Sequence, residues 1–261
     1  MSKIVLVTGA TDGLGKGLVR ALARDGHTVL VHGRDRARAE ALAAEVGARA
    51  VYVADLASLA DVRRLGAEVL AGEPRLDVLV NNAGIGTTVP TPDRDESADG
   101  IELRFAVNYL SHFLLTRLVL PLLVRSAPAR IVNVSSAGQA AIDFDDPMIE
   151  RGYSGMRAYC QSKLAQILDT VGLASEIAGT GVTVTALHPA TYMPTKIVPR
   201  PISTLEEGVT ATMRLAVGAD VEGKSGVYFD GLRETRANAQ AYDANARAKL
   251  LALSRKLTGM G

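Results

Sequence analysis

Residues 8–15 read TGATDGLG and separate an apolar run, KIVLVT at 3–8, from a segment with helical spacing. Gly9, Gly13 and Gly15 allow the backbone to turn tightly and to approach a phosphate closely. The N-terminus of the following helix adds N–H groups and the positive end of its dipole, which together favour an anion. A glycine-rich loop between the first strand and the first helix of a βαβ unit therefore predicts an α/β fold with a dinucleotide site at this loop.

Six more apolar runs follow the first and alternate with helical patterns. Because the runs are almost continuously apolar, they predict strands that are covered on both faces. Strand–helix alternation predicts right-handed crossovers and a doubly wound parallel sheet, and no linker rich in Gly, Pro or Ser divides the 261 residues. We therefore predict one domain over residues 1–261. Its seven strands are predicted at 3–8, 27–33, 48–54, 76–80, 129–135, 181–187 and 226–229, its helices at 14–25, 36–46, 58–71, 99–125, 155–178 and 204–217, and a charged, solvated segment at 236–257 closes the chain.

Composition narrows the classes of function. The chain is 48% hydrophobic and 22% charged with a net charge of +1, and it shows no basic stripe, so we expect no binding of nucleic acid. Its longest apolar stretch, residues 113–124, is too short to span a bilayer and contains Arg117, so we expect no membrane anchor. Cys160 is the single cysteine and the four histidines lack metal-ligand spacing, so we expect no disulfide and no metal site. We expect a cytoplasmic protein.

Three longer stretches, 85–98, 137–154 and 190–203, interrupt the alternation. Each follows a predicted strand, so each leaves the carboxyl edge of the sheet, where open α/β folds bind ligands. Long loops at that edge are more often functional than accidental. We predict that they form the substrate pocket, with 137–154 and 190–203 as substrate loops and 190–203 as a lid.

The glycine loop has the form T-G-x-x-x-G-x-G, which resembles the short-chain dehydrogenase/reductase family. The family's other motifs follow in order over about residues 3–230: D-L at 55–56, N-N-A-G at 81–84, Asn108, S-S at 135–136, Y-x-x-x-K at 159–163 and Pro189. The sequences AYCQSKLA and VNYLSHFLLT, and the long interval between S-S and Y-x-x-x-K, resemble the retinol-dehydrogenase-like branch without its membrane anchor. The resemblance implies a single Rossmann-type domain, a nicotinamide cofactor and chemistry at a CH–OH or C=O group.

The resemblance also implies which residues contact the dinucleotide. They lie in the glycine loop, at the ends of the second, third, fourth and sixth strands, and in the Y-x-x-x-K motif. These residues are Gly9, Thr11, Asp12, Gly13, Leu14, Gly15, Arg34, Asp55, Leu56, Asn82, Ala83, Gly84, Tyr159, Lys163, Pro189, Ala190, Thr191 and Tyr192. The family commonly has a glycine after the proline matched by Pro189 and a threonine five residues past it, whereas here Ala190 replaces the glycine and Pro194 occupies the fifth place. The contacting threonine is therefore either Thr191 or Thr195.

The end of the second strand bears on the choice between NADP and NAD. NAD-specific sites usually place a carboxylate there to bind the ribose 2′-hydroxyl, whereas VHGRD has Gly33 followed by Arg34. A guanidinium favours a 2′-phosphate, which a carboxylate repels. Asp12 and Asp35 count against NADP, and Arg34 is alternatively a solvated side chain in the arginine-rich run at 34–38. We predict NADP(H), with NAD(H) as the alternative.

Tyr159 and Lys163 are four residues apart, so on a helix they share one face. A phenol titrates near pH ~10, and a nearby ammonium favours the phenolate, which makes a tyrosine usable as a general acid or base near neutrality. The resemblance implies that Lys163 also binds the nicotinamide ribose, that Ser136 binds the substrate oxygen, and that Asn108 anchors a water for proton transfer. Ser135 is the competing serine.

The sequence thus predicts an NADP(H)-dependent oxidoreductase that transfers hydride between nicotinamide and a carbonyl or secondary alcohol of a small organic substrate. Tyr159 is its predicted general acid/base. The alternatives are a non-catalytic nucleotide-binding regulatory protein and a reductase of an activated C=C or C=N bond. The resemblance further implies a homodimer or homotetramer that associates through the helices at 99–125 and 155–178.

Overall fold

A single eight-stranded sheet organises the chain. The computed structural model describes residues 2–88, 93–191, 193–194 and 202–260. The strands are β1 (Ile4–Val7), β2 (Thr28–Gly33), β3 (Ala50–Val53), β4 (Val78–Asn81), β5 (Ala129–Val134), β6 (Val182–His188), β7 (Val227–Asp230) and β8 (Arg233–Thr235). They stand in the order β3-β2-β1-β4-β5-β6-β7-β8, and all pair in parallel except β8, which is antiparallel to β7. The predicted doubly wound α/β fold with seven parallel strands is confirmed.

The eighth strand was not predicted. β8 has only three residues, and it follows β7 through a turn in which Gly231 adopts a φ of +57°. Arg233, Glu234 and Thr235 are all polar and at least partly exposed, so no apolar run marks them in the sequence. β8 is therefore an edge strand whose position depends on pairing with β7 rather than on burial of its side chains.

Helices cover both faces of the sheet, and their starts are defined by side-chain caps. Asp12, Asp35, Ser58, Ser154 and Thr204 each accept a hydrogen bond from a backbone N–H of the first helical turn. The helices are α1 (Gly13–Arg24), α2 (Arg36–Val46), α3 (Leu59–Gly72), α4 (Leu103–Phe105), α5 (Ser111–Arg125), α6 (Gly155–Glu176), α7 (Leu205–Val217) and α8 (Ala244–Thr258), with a π-helical turn (Ala106–Leu110) between α4 and α5 and a 3₁₀ turn (Ala239–Tyr242) before α8.

The strands bury their side chains in two apolar layers, one on each face of the sheet. In β1, Ile4 and Leu6 join the layer that contains α3 and α5, whereas Val5 and Val7 join the layer that contains α1, α2 and α7. Successive side chains of a strand point to opposite faces, so a strand that is covered on both faces is apolar throughout. This arrangement explains the continuous apolar runs in the sequence.

The strand order reverses between β1 and β4. β1 pairs with β2 on one side and with β4 on the other, and the chain winds outwards in both directions from this pair. In open α/β sheets, ligands bind in the crevice at the carboxyl ends of the strands where the order reverses. The glycine loop follows β1 and the N-N-A-G motif follows β4, so both motifs lie at this crevice.

The helix that carries Asn108 is longer than its apolar stretch suggested. α4, the π-helical turn and α5 are continuous over Leu103–Arg125, which by length and composition alone could cross a membrane. Most of this helix is buried in the protein, where it packs against α3 and α6. A buried core helix is apolar for the same physical reason as a membrane span, because both lie away from water.

The three predicted loops are described to different extents. Residues 137–154 connect β5 to α6, and the carboxylate of Asp146 holds this connection through hydrogen bonds from two backbone N–H groups. Within 85–98 and 190–203, residues 89–92, 192 and 195–201 lie outside the described part of the chain. The role of the loops as a substrate pocket, and of 190–203 as a lid, stays a prediction.

Candidate active site

The glycine loop forms a tight turn at the carboxyl end of β1. Gly9 and Gly13 have φ values of +62° and +48°, in the left-handed region that favours glycine. A methyl group built on Gly15 would lie 2.3 Å from Gly9 O and 2.6 Å from Asn82 Nδ2. Only glycine therefore lets the first turn of α1 approach the end of β1 this closely. The predicted residue Leu14 lies between these glycines and is buried.

Thr8 joins the glycine loop to the N-N-A-G motif. Its Oγ1 accepts hydrogen bonds from Asn82 N at 2.9 Å and from Ala83 N at 3.0 Å. In return, Asn82 Nδ2 donates to Thr8 O at 2.8 Å. A methyl group on Gly9 would lie 2.8 Å from Ala83 Cα. The structure thus brings the predicted residues Asn82 and Ala83 directly against the glycine loop.

His32 in β2 supports the loop from within the protein. Gly9 N donates to His32 Nδ1 at 3.1 Å, and His32 Nε2 lies 3.2 Å from Ala54 O. Burial lowers the pKa of His32 to about 4, so the ring is neutral. Because Nδ1 accepts from Gly9 N, the proton of the ring lies on Nε2. Ala54 directly precedes the predicted residues Asp55, which is exposed, and Leu56, which is buried. The side chain of His32 in β2 therefore connects the segments that follow β1 and β3 through hydrogen bonds.

Basic side chains lie at the end of β2. Arg34 is exposed directly after Gly33, and Arg38 Nη2 reaches back to Thr11 O and to Asp12 Oδ2, both at 3.3 Å. The other carboxylate oxygen of Asp12 accepts from the first N–H of α1 at 2.8 Å. A methyl group on Gly33 would lie 2.6 Å from Thr11 Cγ2. The negative charge of Asp12 is therefore paired with an arginine that the sequence indicated only as a solvated side chain.

Asn108 is fully buried in the π-helical turn. Its Oδ1 accepts from Ile85 N at 2.8 Å, and its Nδ2 donates to Ser162 Oγ at 3.0 Å. π-helical turns within α-helices occur frequently at functional sites. A methyl group on Gly84 would lie 3.2 Å from Asn108 Oδ1 and 3.5 Å from Lys163 Nζ. Gly84, Asn108 and Lys163 therefore meet at the crevice.

The two serines at the end of β5 differ in their hydrogen bonds. Ser135 Oγ donates to Lys163 O at 2.7 Å, which holds the hydroxyl against the backbone of α6. Ser136 Oγ accepts from Gly138 N at 3.0 Å and retains its own proton to donate. A methyl group on Gly138 would lie 3.4 Å from Ser136 Oγ and 3.8 Å from Tyr159 Cε1. Ser136 and Tyr159 therefore both border the space beside Gly138, whereas the hydroxyl of Ser135 is bonded to the backbone of α6.

Tyr159 and Lys163 lie one helical turn apart on α6, as their spacing predicted. Lys163 Nζ is 5.9 Å from the centre of the Tyr159 ring. It donates to Val134 O at 2.9 Å and to Gln166 Oε1 at 3.1 Å, and burial lowers the pKa of Lys163 to about 7. An ammonium has three N–H bonds, so one remains for Tyr159 or a ligand in the crevice.

The residues after β6 are described only in part. Pro189 is buried, Ala190 is half-buried, and the hydroxyl of Thr191 lies 3.0 Å from His188 Nε2. These three predicted residues therefore stand at the carboxyl edge of β6. Tyr192 and Thr195 lie outside the described residues, so the choice between Thr191 and Thr195 stays open.

Cys160 lies next to Tyr159 but has the properties of a packing residue. Its Sγ is 3.8 Å from Met156 Sδ, and burial raises the pKa of the thiol, which disfavours the nucleophilic thiolate. Among the residues that the structure describes, no group of three or more His, Cys, Asp or Glu side chains could hold a metal ion.

Several residues that shape the site carry no motif. Ser162 connects Asn108 to Tyr159 O, to which it donates at 2.7 Å, and Gln166 binds the ammonium of Lys163. Their signal in the sequence is weak: each is a polar residue within a helix that is otherwise mostly apolar on its inner face. Such residues indicate a buried hydrogen bond, but they do not indicate its partner.

Comparison with known proteins agrees with this geometry. The model of the short chain dehydrogenase family matches residues 3–201. Retinol dehydrogenase 14 of Mus musculus is 39% identical over 292 residues, which cover 99% of this chain and 86% of that protein. Retinol dehydrogenase 13 of Homo sapiens is 38% identical over 285 residues, which cover 99% and 85%.

Solved structures show the same fold. An uncharacterized protein from Mycobacterium paratuberculosis has a TM-score of 0.79 and 32% identity over 98% of this chain and 93% of that one. The Pseudomonas aeruginosa RhlG/NADP active-site complex has a TM-score of 0.71 and 28% identity over 87% and 94%. The 3-ketoacyl-(acyl-carrier-protein) reductase from Brucella melitensis, complexed with NADH, has a TM-score of 0.68 and 26% identity over 87% and 96%. The chain therefore belongs to the short-chain dehydrogenase family, in its retinol-dehydrogenase-like branch, and is an alcohol/carbonyl oxidoreductase.

Proposed function

We propose that the chain is an NADP(H)-dependent oxidoreductase that transfers hydride between the nicotinamide and a carbonyl or secondary alcohol of a small organic substrate. The observation that carries the proposal is the meeting of Ser136, Tyr159 and Lys163 at the crevice where the strand order reverses. The relatives named as retinol dehydrogenases and the NADP complex of RhlG support the proposal.

The crevice fits a dinucleotide. Methyl groups on Gly9 and Gly15 would collide with neighbouring backbone, so the floor of the crevice is bare backbone that ends at the N-terminus of α1. Such a surface accommodates a pyrophosphate. Asp55 at the end of β3 would hold the adenosine end, and Lys163 beside Gly84 would hold the nicotinamide ribose. When bound, the nicotinamide supplies or accepts the hydride.

The side chains of the crevice divide the proton transfer among them. In carbonyl reduction Tyr159 donates its phenolic proton to the substrate oxygen, and in alcohol oxidation it accepts that proton. Ser136 donates a hydrogen bond to the same oxygen and stabilises the negative charge that develops on it. The ammonium of Lys163 favours the phenolate form of the tyrosine. After reduction Lys163 returns a proton to the phenolate of Tyr159, and Asn108, which Ile85 and Ser162 hold in place, anchors the water from which Lys163 recovers that proton.

Consumption of NADPH with a panel of small aldehydes and ketones tests this reaction. We expect Tyr159→Phe to lower kcat by about 10²–10⁴-fold, the usual contribution of a positioned general acid, and to leave NADPH binding nearly unchanged. Cys160→Ser, at the adjacent residue, is the control and should keep its turnover. Full turnover by Tyr159→Phe would contradict the proton-transfer role.

The same assay, extended to secondary alcohols with NADP⁺ and to enones and imines with NADPH, separates the alternatives. A wild-type protein that binds NADPH but shows no turnover in either direction would favour a regulatory nucleotide-binding protein. Turnover confined to enones or imines would favour a reductase of C=C or C=N bonds.

The preference for NADP(H) rests on Arg34 and Arg38. Because Arg38 pairs with Asp12, a 2′-phosphate bound here would meet a guanidinium together with that carboxylate. We expect Arg34→Leu and Arg38→Leu each to weaken NADPH binding by about tenfold, which matches the loss of one charge-assisted hydrogen bond, and to leave NADH binding unchanged. Arg36→Leu, which removes a side chain that pairs with Glu40 at 3.3 Å, is the control. Tighter binding of NADH than of NADPH by the wild type would refute the preference.

A further inference from the structure

A chain of three buried polar side chains leads from the crevice into the protein. Lys163 Nζ donates to Gln166 Oε1 at 3.1 Å, and Gln166 Nε2 lies 3.0 Å from His112 Nδ1. Lys163, Gln166 and His112 are 5%, 2% and 3% exposed. Polar groups buried this deeply destabilise a protein unless they are hydrogen-bonded to one another. These hydrogen bonds therefore hold the three side chains in one conformation.

The direction of each hydrogen bond in this chain follows from the chemistry of its groups. An ammonium only donates, so the atom that faces Lys163 is the carbonyl oxygen of the Gln166 amide. The amide nitrogen also only donates, so His112 Nδ1 must accept, and the proton of the neutral ring lies on Nε2, which has no hydrogen-bond partner among the described residues. Protonation of both ring nitrogens would remove this acceptor. Burial and the charge of Lys163 lower the pKa of His112 to about 3, which keeps the ring neutral.

The spacing along two helices places the three hydrogen-bonded side chains of Lys163, Gln166 and His112 behind the reacting groups. Asn108 and His112 are one turn apart on the long helix, and they bond to Ser162 and Gln166, which are one turn apart on α6. These two cross-helix hydrogen bonds fix the register of α6 against the π-helical turn. Lys163 lies between them on the same helix, so its position depends on that register.

We propose that Gln166 is a positioning residue for Lys163 and that His112 fixes the orientation of the Gln166 amide. Gln166 Oε1 and Val134 O take two of the three N–H bonds of the ammonium, which reserves the third for the crevice beside Gly84. Without Gln166 the ammonium keeps one fixed acceptor and can rotate away from the crevice. The inference rests on the proposed function, in which this ammonium serves Tyr159.

Gln166→Met tests the proposal because it keeps the length of the side chain and removes both hydrogen bonds. We expect kcat to fall about tenfold or more, as for the loss of one hydrogen bond to a charged group, with a much smaller change in the KM of the carbonyl substrate. Thr170→Val is the matched control, since Thr170 is buried one turn further along α6 and bonds to Asn133 and to Gln166 O without contacting Lys163. This control should lower the melting temperature but keep kcat.

A pair of substitutions at His112 separates the hydrogen bond from the packing. His112→Phe fills the space and removes the acceptor, whereas His112→Asn retains an acceptor oxygen close to the position of Nδ1. We expect His112→Phe to lower kcat as Gln166→Met does and His112→Asn to restore most of it. Equal loss in both His112 variants, or equal loss in Gln166→Met and Thr170→Val, would overturn the proposal.

Nitrogen NMR of the histidine rings in the cofactor-free protein gives a readout that is independent of turnover. We expect His112 to carry its proton on Nε2 in the wild type and to lose this preference in Gln166→Met. A His112 ring that is protonated on Nδ1 would also overturn the proposal. A wild-type protein without carbonyl turnover would refute the proposed function alone, and the NMR result would still decide whether Gln166 and His112 are bonded as inferred.

Discussion

Replacing Gly33 by aspartate should change the preference of the enzyme from NADPH to NADH, but only when Thr11 is changed as well. Gly33 ends β2, where NAD-specific relatives of this fold carry an acidic residue. A Cβ at position 33 would lie 2.6 Å from Thr11 Cγ2, whereas Thr11 Oγ1 would be 3.4 Å away. Gly33→Asp alone therefore overpacks the loop at a cost of about 1–3 kcal/mol. Thr11→Ser removes the colliding methyl group, and the nearest remaining contact is an ordinary one.

The size of the change follows from the two charges involved. A carboxylate that accepts hydrogen bonds from the ribose hydroxyls should contribute about 1.5–3 kcal/mol to NADH binding, which corresponds to roughly ten- to hundredfold. The same carboxylate repels a 2′-phosphate, so NADPH binding should weaken by at least about tenfold.

Fluorescence titrations with both cofactors measure this change in four proteins: the wild type, each single variant and the double variant. We expect Thr11→Ser to keep the wild-type preference, Gly33→Asp to bind both cofactors poorly, and the double variant to prefer NADH. Equal changes in the affinities for NADPH and NADH in the double variant would refute the placement of the ribose at the end of β2. Equal behaviour of Gly33→Asp and the double variant would refute the role assigned to the Thr11 methyl group.

Three further predictions concern the serines and the buried bases. Ser136→Ala should lower kcat by about 10²–10³-fold, as for the loss of a donor to a developing oxyanion. Ser135→Ala should mainly lower the melting temperature, because the Ser135 hydroxyl is bonded to the backbone of α6. Steady-state kinetics and thermal unfolding distinguish the two variants. Burial keeps the pKa of His32 at about 4 and that of His112 at about 3, whereas a histidine of the unfolded chain titrates near about 6.5. As the pH falls below about 6.5, the unfolded chain therefore binds protons that the folded protein does not. Each ring should lower the free energy of unfolding by roughly 1.4 kcal/mol per pH unit, down to about pH 4. Denaturant titrations of His112→Asn should therefore show a shallower acid loss than the wild type. Burial lowers the pKa of Lys163 from 10.5 to about 7. Between these two pH values the unfolded chain holds the proton and the folded protein does not, so the free energy of unfolding rises with pH. Lys163→Met should abolish this rise in the same titrations.

The motifs at the strand ends could be predicted together because parallel strands share an edge. Thr8, Asn82 and Ser136 follow three different strands, and a parallel sheet places all three at its carboxyl edge. The strand order β1-β4-β5 then makes them neighbours in the structure. The helical period then adds Tyr159 and Lys163 on one face of α6. Neither step needs a side-chain contact, although the roles of these residues were implied by the family resemblance and not by their spacing.

Contacts between elements could not be predicted in this way. Arg38 looks like one of several solvated arginines until α2 packs beside the glycine loop and brings its guanidinium to Asp12. The closing segment, whose charges suggested a solvated helix, similarly buries Leu250 and Ser254 of α8, and Ser254 Oγ lies 2.7 Å from Tyr109 OH. The homodimer or homotetramer implied by the family stays a prediction. Because α8 packs against α6, any interface through α6 must also accommodate α8.

The π-helical turn shows most clearly why the hydrogen bonds from Lys163 through Gln166 to His112 could not be predicted from the sequence. A regular helix over 99–125 would have placed Asn108 and His112 by the 3.6-residue period. Instead, Ser111 N bonds to Ala106 O, five residues back, so the face that follows is rotated relative to an α-helical projection. The turn is held by the hydrogen bonds of Asn108 to Ile85, a residue that follows β4 and is distant in sequence. Because this long-range bond stabilises the turn that aims His112 at α6, the partner of Gln166 is a property of the assembled fold, and only the polarity of the two residues was visible beforehand.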